Sequence, residues 1–303
     1  MKRICCAAVA AASLLLVGHL RVTAAGAARF RHLASIYFDD RGVGLSLPEG
    51  VACGGDGLVV AGDTGNDRLL RFTFRDKTVS GLTAIKPAGL SAPGGLQLNS
   101  KGEIYALDGR QRRVVRLDAA GTTAGVLAFD GVPPPATVIP KAMAIDASDA
   151  LYVLDVFSAR VLVIDGEGKF RRALPVPEGA GFGTDIAIDQ AGALVLLDSV
   201  GRRLYAAAKG AAAFSSLGGD LSGWLASSPA HVAVSKGLIF VLEGSGGSIV
   251  GFGRDGSFLS RPVVMGREEG ALNRPSQICV NDRDEVFVAD RDNSRIQVFQ
   301  LLR

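Results

Sequence analysis

The side chains best suited to chemistry form a repeated pair. An aspartate is followed five residues later by an arginine at Asp63/Arg68, Asp108/Arg113, Asp155/Arg160, Asp198/Arg203 and Asp290/Arg295, with Glu243/Ser248 as a degraded sixth copy. A carboxylate and a guanidinium at this spacing can close a loop through charge-assisted hydrogen bonds. Five similar copies favour scaffolding, because a catalytic pair needs one unusual environment. Histidine is scarce, with only His19, His32 and His231 in the chain, so a multi-histidine metal site or a Ser-His-Asp arrangement is hard to build. The chain lacks G-x-S-x-G, EF-hand and C-x-x-C-H spacings. Gly179, Gly181 and Gly183 precede the strand-like TDIAID and not the helix that a phosphate cradle needs. Arg110, Arg112, Arg113 and Arg116 form the densest basic cluster. Without interleaved aromatics it suits a solvated loop or a protein contact better than a nucleic-acid groove.

The elements that position these residues also repeat. Each unit has a short apolar strand, a turn, a second apolar strand ending in the acid, four loop residues, and a third strand opening at the arginine. Successive acids lie 45, 47, 43, 45 and 47 residues apart, and a period in the forties with several strands per unit predicts a β-propeller. Runs such as ALYVLD (150–155), ALVLLD (193–198) and LIFVLE (238–243) are too short for helices and apolar on both faces, as strands covered on each side must be. The expectation is therefore an all-β fold, a single six-bladed propeller of four-stranded blades over residues 29–303. The last unit ends after its third strand, so LASIYF (33–38) is expected to complete the sixth blade and close the ring.

With this template in view, the chain resembles the NHL-repeat family. The best copy is Pro275 to Phe299, PSQICVNDRDEVFVADRDNSRIQVF, and the copy at Pro48 to Phe72 carries Asp63, Asn66 and Arg68 in the same places. The resemblance implies the propeller fold and a structural role for the acid–arginine pairs, but no single activity, since the repeat serves many functions. Aligning the units where each innermost strand opens gives Gly50, Gly95, Ala142, Asp185, His231 and Gln277 at the mouth of the central channel. Enzymatic propellers resembling gluconolactonases and paraoxonases place calcium-binding Asp, Asn and Glu around such a channel, and the NHL-related amidating lyase uses several histidines on zinc. An all-histidine zinc site is excluded here, and calcium would have to rest on Asp185. The expectation is a solvated polar rim at Asp185, His231 and Gln277, without metal or other cofactor.

Lys2 and Arg3, the apolar run from Ile4 to Val17 and the small residues from Thr23 to Ala28 suggest a secretory leader over residues 1–28, cleaved after Ala25, Ala27 or Ala28. An uncleaved anchor would be interrupted by His19 and Arg21. Losing Lys2, Arg3 and Arg21, with no acid in that stretch, lowers the formal charge from +3 to zero, which leaves no electrostatic mandate for nucleic acid or anionic membranes. Cys53 and Cys279 occupy neighbouring registers on innermost strands that ring closure makes adjacent. Packed sheets about 10 Å apart nevertheless favour two buried free thiols over a bond that needs Cα atoms within about 7 Å. Trp224, the only tryptophan, either packs over the propeller edge or serves as an exposed anchor.

Together these features point to a secreted, periplasmic or extracellular propeller that binds another protein as a scaffold and is not an enzyme. Trp224, Arg110, Arg112 and Arg202 are its partner-binding candidates. The alternative is a lactonase- or lyase-type propeller enzyme using Asp185, His231 and Gln277.

Overall fold

The computed structural model describes residues 27–303, so the expected leader, apart from Ala27 and Ala28, lies outside the described residues. The chain opens with β1 (Arg29–Ile36) and then lays down five complete blades. Blade one is β2 (Gly50–Cys53), β3 (Leu58–Asp63), β4 (Arg68–Arg75) and β5 (Thr78–Ile85). Blade two is β6 (Pro93–Leu98), β7 (Ile104–Asp108), β8 (Arg113–Leu117) and β9 (Thr123–Val126). Blade three is β10 (Pro140–Ile145), β11 (Leu151–Asp155), β12 (Arg160–Ile164) and β13 (Phe170–Pro175). Blade four is β14 (Gly183–Ile188), β15 (Leu194–Asp198), β16 (Arg203–Ala207) and β17 (Ser215–Leu217). Blade five is β18 (Pro229–Ser235), β19 (Leu238–Glu243), β20 (Ser248–Gly253) and β21 (Phe258–Val263).

Blade six combines β22 (Gln277–Val280), β23 (Glu285–Asp290) and β24 (Arg295–Leu302) with β1 as its outermost strand. The closing strand runs from Arg29, opposite Leu302, to Ile36, opposite Ile296, with a bulge between His32 and Ala34. It starts earlier than the expected Leu33 and stops before Phe38. The extension is anchored, since Ala28 is buried in the cluster between blades five and six and its carbonyl accepts from the Ser260 hydroxyl.

The core lies between blades. In β12, Val161 and Val163 join the cluster toward blade four, while Leu162 and Ile164 join the cluster toward blade two. Alternation along the strand thus feeds two cores, which explains sequence runs that are apolar throughout.

The acid ending each second strand pins the segment that enters its own blade. Backbone N–H groups of Ser46, Ser91, Ile139, Phe182, Ser227 and Asn273 donate to Asp63, Asp108, Asp155, Asp198, Glu243 and Asp290. Four of the five expected arginine pairs form, at 2.6 Å for Asp63/Arg68, 3.5 Å for Asp108/Arg113, 3.1 Å for Asp155/Arg160 and 2.7 Å for Asp290/Arg295. The Asp198/Arg203 pair does not. Amides of Gly181, Phe182, Val200 and Gly201 fill the Asp198 carboxylate, and Arg203 points into solvent. In blade five the guanidinium comes from elsewhere: Glu243 accepts from the Ser248 hydroxyl and pairs with Arg261 of the outermost strand β21.

Cys53 and Cys279 form a disulfide between blades one and six, with Cα atoms 6.0 Å apart, so the expectation of free thiols is corrected. Innermost strands converge on the propeller axis, and there neighbouring sheets lie closer than the spacing of stacked sheets.

Candidate functional site at the channel mouth

The three mouth residues are not a solvated rim. Each reaches across to the next innermost strand, whose channel-facing edge would otherwise present unpaired backbone groups. Asp185 Oδ2 accepts from the Val232 amide at 2.7 Å and meets His231 Nδ1 at 2.6 Å. His231 Nε2 lies 3.2 Å from the Ile278 carbonyl. A neutral imidazole carries one N–H, so both contacts are donated by the ring only in its doubly protonated form. Gln277 accepts at Oε1 from the amides of Val51 and Leu96 and donates from Nε2 to the Leu96 carbonyl, each at 3.0 Å. A Cβ on Gly50 would strike the Gly94 carbonyl of blade two, and one on Gly95 would meet the Leu107 side chain at 3.1 Å.

Gln97, which the sequence did not single out, continues the series by donating to the Met143 carbonyl at 2.9 Å. The residue aligned with the mouth position on blade three is Ala142, which has no polar group to offer blade four. The result is a polar girdle that ties four of the six junctions. Among the described residues no three His, Cys, Asp or Glu side chains converge as a metal site would require.

Above the girdle a cavity of about 190 Å³ is lined by Asp185, His231, Gln277, Lys141 and Glu49. It adjoins a cleft of about 410 Å³ between blades two and three, with which it shares Gly94, Gly95, Leu107 and Lys141. The cleft adds Arg112, Pro140, Val156 and Phe182. Of the predicted partner-binding arginines, Arg110 pairs with Asp67 at 3.2 Å and Arg202 donates to the Leu225 carbonyl. Arg112 has no side-chain partner among the described residues. Trp224 packs over the propeller edge, its ring stacked on Phe258 at 4.3 Å and 8°, and it is 47% exposed.

Exposed large apolar side chains are distributed very unevenly. Phe38, Val43, Leu47, Phe182, Trp224, Val264 and Met265 lie on connections leading to innermost strands. Phe157 and Val200 sit on turns after second strands, and Val126 ends an outermost strand. These connections and turns belong to the mouth side of the ring, whereas Val126 lies opposite Val115 halfway along β8 on the outer edge of blade two, and the Trp224 ring stacks on Phe258, which opens β21 at the other end. Among the exposed large apolar side chains of the described residues, only Leu302 lies on a segment at the other end. Opposite-side turns are closed by Asp118, Asp146 and Asp165, which accept from amides of their own turns, and are tied to adjacent blades, as where Ser100 donates to Asp149 and Lys236 to the Asp282 carbonyl.

Residues 272–299 match the NHL repeat. Comparison with curated protein sequences finds no match. Among solved structures, virginiamycin B lyase from Staphylococcus aureus, in a catalytically inactive His-to-Ala form with quinupristin, is similar at 12% identity and TM-score 0.63, covering 90% of this chain and 100% of that one. A gluconolactonase from Xanthomonas campestris is 15% identical at TM-score 0.63, covering 91% and 90%. A chain of the nidogen/laminin complex is 16% identical at TM-score 0.61, covering 83% and 99%. Propellers of this architecture thus include a lyase and a gluconolactonase, which corrects the expectation that the protein is not an enzyme: the fold gives no ground for excluding catalysis. At these identities the likeness is one of fold. The chain is thus a six-bladed β-propeller whose sixth blade matches the NHL repeat and whose other five blades carry the same acid-pinned unit.

Proposed function

We propose that this chain is an exported propeller that recognises a partner protein of the cell envelope or extracellular space through its mouth-side face. The supporting observation is the segregation of exposed apolar side chains, nine of the eleven among the described residues being on connections and turns of that side, since clustered apolar and aromatic groups are what protein recognition uses. Export agrees with the Cys53–Cys279 bond, which suits an oxidising compartment. The test is affinity capture from the cognate envelope fraction with three baits. Phe157→Ser combined with Val200→Ser should abolish capture of the partner that the unaltered protein retains. Glu167→Ala combined with Lys169→Ala, on the opposite side, should leave it intact. The reverse pattern would overturn the reading.

A second reading gives the same face chemistry of the lactonase or lyase kind, with His231 moving a proton while Asp185 orients its ring. It is favoured by the 2.6 Å contact on the wall of the mouth cavity. His231→Gln should then abolish turnover of a lactone panel while the variant remains folded by circular dichroism, and equal turnover would remove His231 from that role.

A further inference from the structure

We infer that the cleft between blades two and three binds a carboxylate attached to an apolar group. The cleft has a volume of about 410 Å³, within the range of small-molecule sites. Two exposed cations, Arg112 and Lys141, line it, and neither side chain has a hydrogen-bonding or ionic partner among the described residues. That separates them from Arg110 and Arg113, which are engaged by Asp67 and by the Gly89 carbonyl. The one acid on the wall, Asp108, is turned inward and filled by amides of Ser91, Arg110 and Gln111. The open wall is therefore positive with no internal counter-charge.

The remaining wall is apolar, formed by Leu107, Pro140, Val156 and the half-exposed ring of Phe182. A guanidinium takes a carboxylate through two parallel hydrogen bonds and an ammonium adds a point charge, while the apolar wall covers what the carboxylate is attached to. Gly94 keeps the floor open, since a Cβ there would meet only the Leu107 carbonyl, at 3.8 Å. This inference deepens the proposed reading, because the cleft opens on the same face.

The probes are N-acetyl-phenylalanine, its primary amide, the peptide acetyl-Ala-Ala-Phe with a free carboxyl terminus, and inorganic phosphate, each titrated into the protein by NMR. The acid should bind, and the amide should bind at least about tenfold more weakly, as loss of a charge-assisted contact predicts. Arg112→Asn should weaken the acid about tenfold and leave the amide unchanged. Asparagine is chosen because residue 112 has φ of 51°, a left-handed conformation that asparagine tolerates. Lys141→Gln should act likewise, and Gly94→Leu should block both acid and amide without altering charge. Arg110→Gln should change nothing. Tighter binding of the peptide than of N-acetyl-phenylalanine would identify a chain terminus as the carboxylate's source, and the reverse a free acid. Equal binding of acid and amide, stronger binding of phosphate, or no binding at about 10 mM acid would each overturn the inference. Partner capture by the Phe157/Val200 variant is scored separately, so failure here is distinguishable from failure of the mouth-side reading.

Discussion

At the scale of residues, the same template position carries different energetic weight from blade to blade. Arg295 is 2% exposed and bridges Asp290, the Tyr37 hydroxyl and the carbonyls of Glu268 and Ala271. Arg203, at the equivalent position, meets no acid. Arg295→Ala is expected to cost about 3 to 5 kcal/mol, the consequence of stranding a buried charge, whereas Arg203→Ala should stay within about 0.5 kcal/mol. Urea midpoints of the two variants check this. Glu243 adds a pH dependence. Burial alone would raise its pKa, but the Ser248 hydroxyl, the Ser227 amide and Arg261 outweigh burial and hold it below the ordinary 4.5. A folded-state value below the unfolded one gives stability that is complete above the unfolded pKa and lost as pH falls through the folded one. Glu243→Gln should therefore be less stable than the natural protein at pH 7 and lose less on acidification below 4.5, as parallel thermal melts would show.

At the scale of elements, ring closure has two independent fasteners. β1 pairs with β24 on the outside of blade six, and the Cys53–Cys279 bond joins blades one and six near the axis. Cys53→Ser combined with Cys279→Ser is expected to cost about 2 to 5 kcal/mol, because a cross-link over 226 residues restricts the unfolded chain strongly. Deleting 29–36 exposes a long edge on β24. Its destabilisation should be larger in the serine background than in the disulfide-bonded one, and additive losses would show that the fasteners close different parts of the ring. The blades and their closure were legible in the sequence because the acid that ends each second strand does the same job six times. The Asp198/Arg203 exception was not legible, since whether an aspartate takes an arginine or a set of amides depends on how the incoming connection folds over it. The role of Asp185, His231 and Gln277 was hidden for a related reason. Their partners, Val232, Ile278, Val51 and Leu96, lie on other blades, and intra-unit spacing says nothing about a neighbour's edge.

At the scale of the whole molecule, charge and apolar surface give separate instructions. Without residues 1–28 the formal charge is zero, so there is no large net field to steer an encounter. The mouth side nevertheless concentrates the exposed apolar groups, led by Val200 at 70% and Met265 at 62% exposure. Opposite-side turns spend many of their polar groups on themselves and on adjacent blades, and only Leu302 among the exposed large apolar side chains of the described residues lies toward that end. Association governed by such a surface should depend weakly on salt, because screening acts on long-range charge and not on apolar burial. The dissociation constant for the captured partner is thus expected to change by less than about threefold between 50 and 300 mM NaCl, measured by surface plasmon resonance. Binding of N-acetyl-phenylalanine in the Arg112/Lys141 cleft should weaken noticeably over the same range, because its contacts are ionic and solvent-accessible. If partner affinity instead fell steeply with salt, the loop cations would govern recognition. The double substitution Phe157→Ser and Val200→Ser would then leave capture intact, a result that sinks the apolar reading of this face.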